Sequence, residues 1–448
     1  MKPLYKLIYW NYHATSGLWY WARRRFTLAG LCVAGGFLLA GLTGLDIENT
    51  VIYQSFGLLL AFLLLAFAGS ILIRANFSAT RSLPRFGTAG QPLKYHVTVK
   101  NLTAKPQAGL TLLEELADPR PNFEDWLAFQ LVESKRVRPF RVAQRRRKNP
   151  FRLANVKNTE VPPLPPRGEA EASVELLPLR RGLLHLTGIT FAQTDPLGLC
   201  RALRKFLVPQ TVLILPKRYP LPPIALPGAL RYQEGGVALA SHVGRSEEFV
   251  ALRDYRHGDP PRHIHWRSWA KTGKPIVKEF EDEFFVRHAL VLDTFDDEPN
   301  SEVLEEAVSV AASFACMVLT QESLLDLLFV GNQSYCFTAG RGLAHGDQMM
   351  EILASVKNCA DKKFEALERL VLNHVSLVSG CICVLQRWDE PRRNFVQKLK
   401  TLRVPLLVLI IVPPGGGISA TRGELTEAPG TIRVLEIGKI AEELAKLK

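Results

Sequence analysis

The stretch of sequence that decides the fold is Arg245–Glu281, RSEEFVALRDYRHGDPPRHIHWRSWAKTGKPIVKEFE, and it leads into the apolar segment Ala289–Asp293. Arg, Asp, His and Trp residues are too frequent in this charged stretch for an ordinary surface loop. The segment that follows has the length and apolar content of a buried strand. A separate folded unit is therefore predicted for the C-terminal part of the chain.

From Ala289 onward, apolar segments of strand length alternate with longer amphipathic segments. The predicted strands are 289–292, 325–330, 334–338, 381–385, 405–412 and 431–437. The predicted helices are 301–320, 347–356, 362–378, 392–402 and 439–447. This alternation predicts a doubly wound α/β sheet. Asn332 and Gln333 mark a hairpin, which predicts one antiparallel edge strand on an otherwise parallel sheet.

The charged stretch resembles the signature of the bacterial domain of unknown function 58 family, which has the form EF..LR.Y..GD..R.I.W...A. The residues that match it in order are Glu248, Phe249, Leu252, Arg253, Tyr255, Gly258, Asp259, Arg262, Ile264, Trp266 and Ala270. The resemblance implies that the α/β domain after it is similar to a von Willebrand factor A domain. It also implies a partner, because proteins of this kind are commonly associated with MoxR-type AAA+ ATPases.

Asp293 stands at the carboxyl end of the first predicted strand, where open α/β sheets bind ligands. In von Willebrand A domains the equivalent loop reads DxSxS and holds Mg²⁺ through a carboxylate, two hydroxyls and oxygens of later loops. Here Phe295 supplies no oxygen, and Asp297 replaces the second serine. Because octahedral Mg²⁺ needs several well-placed oxygens, Asp293, Asp297 and Asp389 are candidate ligands of a degenerate site, and no resident cofactor is expected.

An enzymatic function has little support in the same loop. A haloacid-dehalogenase phosphotransferase needs a second Asp two positions after Asp293, where Phe295 stands, and an aspartic protease needs Gly there. The sequence has no GxxxxGK[ST] phosphate loop. The chain is therefore predicted not to be an enzyme. The alternative is a metal-dependent hydrolase or phosphatase that uses Asp293, Asp296 and Asp297.

Two uncharged apolar segments, 26–45 and 50–73, are each long enough as a helix to cross about 30 Å of hydrocarbon. Arg23–Arg25 precede the first segment and Arg74 follows the second, whereas the only charged residues in the turn between the two segments are acidic. The positive-inside rule then predicts a protein of the bacterial inner membrane with two spans and both termini in the cytoplasm. The Trp and Tyr residues from Trp10 to Trp21 fit an interfacial belt.

Residues 77–218 carry short apolar segments separated by Pro and Gly, and residues 93–100 alternate strictly between apolar and polar. A small antiparallel sandwich of immunoglobulin-like character is predicted. Residues 118–168 interrupt it with a basic run and a proline-rich segment, which are predicted to bury too little apolar surface to become ordered. The turn Asp195–Leu199 is similar to the family's DPFGL segment and is predicted to be structural.

The net charge of +13 is concentrated in Lys135–Lys157, which carries ten Lys or Arg and no acid. On the cytoplasmic face, each basic residue near anionic lipid contributes about 1 kcal/mol to membrane binding. Contact with anionic lipid and a solvated loop are the two interpretations of this run. No nucleic-acid partner is expected, because no aromatic ladder or known nucleic-acid module accompanies the charge.

The charged stretch offers a surface for a protein partner. The candidate interaction residues are Arg253, Asp259, Arg262 and Trp266 in this stretch, with Asp293, Asp296 and Asp297 in the loop after the first strand. Arginine suits bidentate pairing with carboxylates. These residues therefore either dock an acidic partner or form an internal network that fastens the two domains.

The sequence thus predicts four segments: 1–76 with the two spans, 77–218 with the sandwich, 219–288 with the charged stretch, and the α/β domain 289–448. The predicted function is that of a membrane-anchored, non-enzymatic scaffold or adaptor. Its predicted partners are the lipid bilayer and a MoxR-type AAA+ ATPase, in protein assembly or envelope maintenance.

Overall fold

The computed structural model describes residues 2–43, 50–72, 76–118, 120–136, 151–222, 249–259, 261–280, 287–296, 298, 301–320, 324–340, 343–415 and 432–447. The chain divides into two compact units, Met1–Pro216 and Lys217–Lys448. Arg74, Glu248, Asp297 and most of the basic run, 137–150, lie outside the described residues.

Three helices open the first unit: α1 (Lys2–Arg25), α2 (Leu28–Thr43) and α3 (Thr50–Leu72). Residues Val51–Ile71 of α3 are long and apolar enough to cross a membrane. The apolar helix α2 has only 16 residues, which corresponds to about 24 Å. By length and composition, α3 and the shorter α2 suggest a membrane anchor. Helix α2 starts at Leu28, two residues after the predicted start, and residues 44 and 45 lie outside the described residues.

The start of α2 is set by contacts of the preceding backbone. Phe26 forms an antiparallel bridge with Cys200, and the Thr27 N–H donates to the carbonyl oxygen of Leu199 at 3.0 Å. The Thr27 hydroxyl accepts from the N–H of Gly30 at 3.0 Å, as an N-cap side chain does. These bonds take Phe26 and Thr27 out of the helix that the apolar composition alone predicted.

The turn Asp195–Leu199 lies against both apolar helices. A Cβ on Gly30 of α2 would lie 2.0 Å from the carbonyl oxygen of Leu199. A Cβ on Gly69 of α3 would lie 3.6 Å from Pro196. Glycine at position 30 therefore permits the close approach between α2 and the turn Asp195–Leu199.

The rest of the first unit consists mainly of two β-sheets with a common core. Its strands are β1 (Phe77–Ser82), β2 (Phe86–Thr88), β3 (Leu93–Asn101), β4 (Leu110–Leu116), β5 (Ala154–Val156), β6 (Thr159–Glu160), β7 (Glu169–Pro178), β8 (Gly182–Thr194) and β9 (Arg201–Leu215). One sheet has the order β1-β3-β7-β5 and the other has the order β2-β9-β8-β4-β6. Apolar residues that alternate along these strands, among them Val97, Val174 and Ile189, are buried between the sheets.

The prediction that residues 118–168 bury too little to become ordered is wrong for the described part of this segment. Helix α4 (Phe123–Arg136) lies in it. Trp126 is 4% exposed, and its ring lies 5.5 Å from that of Tyr9 and 6.2 Å from that of Tyr12. Strands β5 and β6 each extend one of the sheets. The residues that cover α4, β5 and β6 come from distant parts of the chain. The composition of residues 118–168 alone therefore underestimates the apolar surface that this segment buries.

The charged stretch supplies the first strands and helix of the second unit. Strands β10 (Phe249–Asp254) and β11 (Ile276–Phe280) pair antiparallel. Between them lie a 3₁₀ turn at Pro261–His263 and helix α5 (Trp266–Thr272). The two strands form a sheet of their own. The stretch is thus a strand–helix–strand element, with Val277 buried in it.

The remaining elements form a six-stranded α/β sheet with five helices. The strands are β12 (Arg287–Leu292), β13 (Leu324–Val330), β14 (Ser334–Ala339), β15 (Gly380–Leu385), β16 (Leu406–Val412) and β17 (Ile432–Glu436). The helices are α6 (Glu302–Thr320), α7 (Leu343–Ser355), α8 (Glu365–His374), α9 (Glu390–Thr401) and α10 (Ile440–Leu444). The strand order is β14-β13-β12-β15-β16-β17.

Among the strands of this sheet that the structure describes, β14 alone is antiparallel to its neighbour, which confirms the edge strand predicted from Asn332 and Gln333. Strand order reverses between β12 and β15, so the loops after these two strands meet at the carboxyl end of the sheet. The sheet interior is apolar: every residue of β15 and β16 is buried.

Candidate functional site

Asp293 follows β12 directly and is fully buried at the reversal of strand order. Its Oδ1 accepts from the N–H of Phe295 at 3.0 Å, and its Oδ2 accepts from the N–H of Gln386 at 3.0 Å. Gln386 follows β15, and its side-chain amide donates to the carbonyl oxygen of Asp293 at 2.7 Å. Hydrogen bonds therefore join the two loops directly at the position where this class of sheet can bind ligands.

The guanidinium of Arg392, from α9, completes the surroundings of Asp293. Its Nε lies 2.7 Å from Oδ2 and its Nη2 lies 3.1 Å from Oδ1. Nη2 also donates to the carbonyl oxygen of Phe295 at 3.1 Å, and Nη1 lies 2.5 Å from Oδ2 of Asp389. The guanidinium stacks over the ring of Phe364 at 4.7 Å. One arginine thus bonds to both carboxylates.

Asp389, a predicted metal ligand, is the N-cap of α9. Its side chain accepts from the backbone N–H of Arg392, and a proline stands in the first turn of the helix. Asp at the N-cap followed by Pro is a typical helix start. The local sequence Asp389, Glu390, Pro391 therefore carried a signal for a cap that the metal hypothesis overlooked.

Asp296 is nearly buried and forms an ion pair with Arg387. Asn358 holds its backbone: Nδ2 donates to the carbonyl oxygen of Asp296 at 2.5 Å, and Oδ1 accepts from its N–H at 3.0 Å. Asp293 and Asp296, two of the candidate interaction residues, are therefore buried and paired with arginines. Asp297 lies outside the described residues.

Among the described loop positions, Thr294 and Phe295 do not offer ligands for a divalent cation. The Thr294 hydroxyl donates to the carbonyl oxygen of Val330 at 2.5 Å. Phe295 is part of the core and packs edge-on against Phe364 at 5.9 Å. In the described part of the chain, no three or more His, Cys, Asp or Glu residues are grouped to hold a metal ion. With both oxygens of Asp293 engaged by four protein donors, these residues do not fit Mg²⁺.

Arg392 was not among the predicted site residues, although the sequence contains a signal for it. In α9 it shares the buried face with Phe395, Val396 and Leu399, at the i, i+3, i+4 and i+7 spacing of an apolar stripe. An arginine on the apolar face of a helix needs a buried partner. That requirement points to a carboxylate elsewhere in the chain.

In the charged stretch, Arg253 and Asp259 pair with each other. Nη1 and Nη2 of Arg253 lie 2.7 and 2.8 Å from the two carboxylate oxygens. The N–H of Arg256 donates to the same carboxylate at 2.8 Å. The Arg253 side chain and the Arg256 N–H lower the pKa of Asp259 to about 2. Of the two interpretations of these residues, internal pairing applies to Arg253 and Asp259, within the stretch itself.

Trp266 and Arg262 remain exposed to solvent. Trp266 is 64% exposed and stacks on Trp269 with 5.3 Å between the ring centroids and an interplanar angle of 17°. Nδ1 of His265 lies 2.6 Å from the Ser268 hydroxyl at the start of the same helix. The structure therefore separates the predicted interaction residues into an internally paired set and an exposed set.

Residues 251–402 match a family described as "Protein of unknown function DUF58", and this range runs from the charged stretch to α9. The chain is also 28% identical over 186 residues to the uncharacterized protein YeaD of Bacillus subtilis (strain 168). That similarity covers 41% of this chain and 44% of the relative, so the chain spans under half of the relative's length. The chain is thus similar to the DUF58 family over residues 251–402.

Two solved structures show weaker similarity. The PapD-like domain 7 of human CEP192 is 8% identical, with a TM-score of 0.17, over 31% of this chain and 84% of that domain. A cohesin module from a Clostridium perfringens family 33 glycoside hydrolase is 13% identical, with a TM-score of 0.15, over 32% of this chain and 98% of the module. Both TM-scores are too low to assign a shared fold.

Proposed function

We propose that the chain is a membrane-anchored, non-enzymatic adaptor that binds a MoxR-type AAA+ ATPase in protein assembly or envelope maintenance. One contrast carries the proposal. Asp293 and Asp296 at the carboxyl end of the sheet are buried and paired with arginines, whereas Trp266 and Arg262 of the charged stretch face solvent. The partner surface is therefore the charged stretch, and the loop after β12 serves the fold.

Trp266 has the properties of a binding anchor. Trp and Arg are enriched among the residues that dominate protein interfaces. Its stacking on Trp269 holds the ring in place before binding, which reduces the side-chain entropy lost on association. The predicted interaction residues include two arginines, Arg253 and Arg262. Arg253 is paired with Asp259, whereas Arg262 is exposed and can contact an acidic partner surface.

The rival interpretation is a metal-dependent hydrolase or phosphatase that uses Asp293, Asp296 and Asp297, of which Asp297 lies outside the described residues. A general base needs access to the proton that it removes. Asp293 is enclosed by Arg392 and two backbone N–H groups, and Asp296 is paired with Arg387. These contacts favour a structural role for both acids over a catalytic one.

The architecture proposed with this function has two membrane spans, α2 and α3, and both termini in the cytoplasm. Its support is the apolar composition of the two helices and the position of Arg23–Arg25 immediately before α2. A reporter fused after Lys448 is expected to show cytoplasmic activity. Alkaline phosphatase activity from the same fusion would contradict the topology.

The domain types are proposed on the same basis. Two sheets with a common core support an immunoglobulin-like sandwich. Five parallel strands with one antiparallel edge strand, reversed in order between β12 and β15, support a von Willebrand A-like α/β domain.

Capture of the ATPase by the full chain in detergent tests the function. Trp266→Ala is expected to weaken capture about tenfold or more, because truncation of an interface anchor costs about 2 kcal/mol. Leu402→Ala is the matched control, since Leu402 is also exposed, at the opposite end of α9 from Asp389. Equal capture by the Trp266 variant would exclude this surface, and absence of capture by the unmodified chain would exclude the partner.

A further inference from the structure

A cavity of about 170 Å³ lies within the first unit, where the end of α3 approaches β9. Its lining consists of Arg25, Ser70, Ile71, Ala202, Leu203 and Arg204. One water needs roughly 10–15 Å³ of such space. The cavity therefore has room for a phosphate group together with water.

Arg25 has a guanidinium with spare hydrogen-bonding capacity. Its Nη2 donates to the Ser70 hydroxyl at 3.2 Å, and its guanidinium lies 5.3 Å from the centre of the Phe67 ring. The preceding residue, Arg24, forms an ion pair with Glu115 at 2.6 Å. Within the described part of the chain, Arg25 has no such carboxylate partner.

The second cation of the cavity is Arg204, which is exposed on β9 and has no carboxylate partner among the described residues. The buried acid of the adjacent turn, Asp195, accepts instead from the N–H groups of Leu197 at 3.0 Å and Cys200 at 2.6 Å. The cavity thus contains two guanidinium groups, and the nearby carboxylate is satisfied by backbone donors. The Ser70 hydroxyl positions Arg25, because its own proton is donated to the carbonyl oxygen of Phe67 at 2.8 Å.

The wall of the cavity continues into an apolar surface. Ile71, in the cavity lining, is 60% exposed, and Phe67, one turn earlier in α3, is 47% exposed. Both belong to the helix that is long and apolar enough to cross a membrane. A ligand with an anionic head and a hydrocarbon tail matches this surface, because its head can reach the arginines while its tail lies along α3.

We propose that this cavity binds the phosphate of an anionic phospholipid headgroup. Arginine pairs with phosphate through two parallel N–H···O bonds, and basic pockets beside membrane helices on the cytoplasmic side bind anionic headgroups. The site rests on the proposed anchor, but not on the proposed ATPase partner. The continuous apolar surface of Phe67 and Ile71 favours lipid over free phosphate as the source of the anion.

Lipid retention by the purified full chain tests the site. In native mass spectrometry from detergent, the unmodified protein is expected to retain phosphatidylglycerol in preference to phosphatidylcholine. Arg204→Ala and Arg25→Gln are each expected to lower the affinity for phosphatidylglycerol about tenfold. The matched control is Lys205→Ala, because adjacent strand residues point to opposite faces and Lys205 does not line the cavity.

The outcomes separate the alternatives. Loss of retention in the two arginine variants but not in Lys205→Ala supports the site, and Arg204, being exposed, can be replaced without endangering the fold. Equal retention of both lipids, or equal loss in the lysine control, overturns it. Competition by millimolar inorganic phosphate with the same variant pattern would assign the anion to free phosphate and overturn the lipid assignment. Extraction of the unmodified chain from membranes by alkaline carbonate would refute the anchor separately.

Discussion

The guanidinium of Arg392 lies against the carboxylate of Asp293, with Nε 2.7 Å from Oδ2 and Nη2 3.1 Å from Oδ1, although 99 positions separate the two residues in the chain. Both side chains are buried. The pair joins the first strand of the α/β sheet to α9 across the reversal of strand order. The cation at this crevice is therefore supplied by the protein itself.

Replacing Arg392 with Met is expected to destabilise the chain strongly. The substitution leaves Asp293 buried without its cation, and loss of one partner of a buried pair costs about 3–5 kcal/mol. For a domain of this size that corresponds to a fall in melting temperature of about 10 °C. Thermal unfolding of the full chain in detergent measures it, with the exposed Asn394→Ala in the same helix as the control. A fall of less than about 2 °C would show that the pair contributes little.

Addition of Mg²⁺ or of a chelator is expected to leave the melting temperature of the unmodified chain unchanged. Both oxygens of Asp293 already accept hydrogen bonds from Arg392 and from backbone N–H groups, and Mg²⁺ would have to displace these donors. Titration calorimetry should detect no binding tighter than about millimolar. A micromolar site that disappears in Asp293→Asn would contradict this and would revive the hydrolase hypothesis.

Gly30→Ala is expected to disrupt the joint between the anchor and the β-domain. The added Cβ would lie 2.0 Å from the carbonyl oxygen of Leu199, so the backbone on one side must move. Gly35→Ala in the same helix is the control, since a Cβ there has no atom within 4 Å and Ala favours helix by roughly 0.5–1 kcal/mol. Melting temperature and the yield of membrane-inserted protein should fall only in the Gly30 variant. Equal behaviour of both variants would mean that the contact is dispensable.

The ion pair between Arg253 and Asp259 is expected to persist at low pH. Because the pKa of Asp259 is lowered to about 2 in the folded chain, its stabilising contribution is complete above its ordinary value of 3.8 and is lost as pH falls through about 2. In Arg253→Gln, the main cause of the shift is removed, so the pKa should rise toward 3.8. A carboxyl-detected NMR titration measures both values. An unchanged low pKa in the variant would assign the shift to the backbone N–H of Arg256 alone.

The strands of the α/β domain could be predicted from the sequence because a strand covered on both faces must be apolar along its whole length. The six strands end within two residues of the predicted positions. The antiparallel edge followed from the short hairpin at Asn332 and Gln333. The position of Asp293 at the carboxyl end of the first strand followed from the same pattern.

Other features depended on residues distant in sequence. Helix α4 owes its packing to Tyr9 and Tyr12 of α1, so the composition of residues 118–168 could not reveal it. The first apolar helix begins at Leu28 because Phe26 and Thr27 bond to Cys200 and Leu199. A hydropathy profile of the sequence cannot detect these contacts between distant residues.

The sequence by itself determined the order of strands and helices, the apolar anchor and the crevice at which Asp293 stands, because burial imposes a local periodicity on the chain. Only the tertiary structure decided what neutralises that crevice. Arg392 and Arg393 are adjacent and chemically identical, and it is the buried face of α9 that brings the first of them to Asp293. Arg392 and Asp293 are 99 positions apart in the chain, so their pairing leaves no local pattern in the sequence. The free-energy cost of burying each charge is offset by its partner, and only the fold determines where that partner lies.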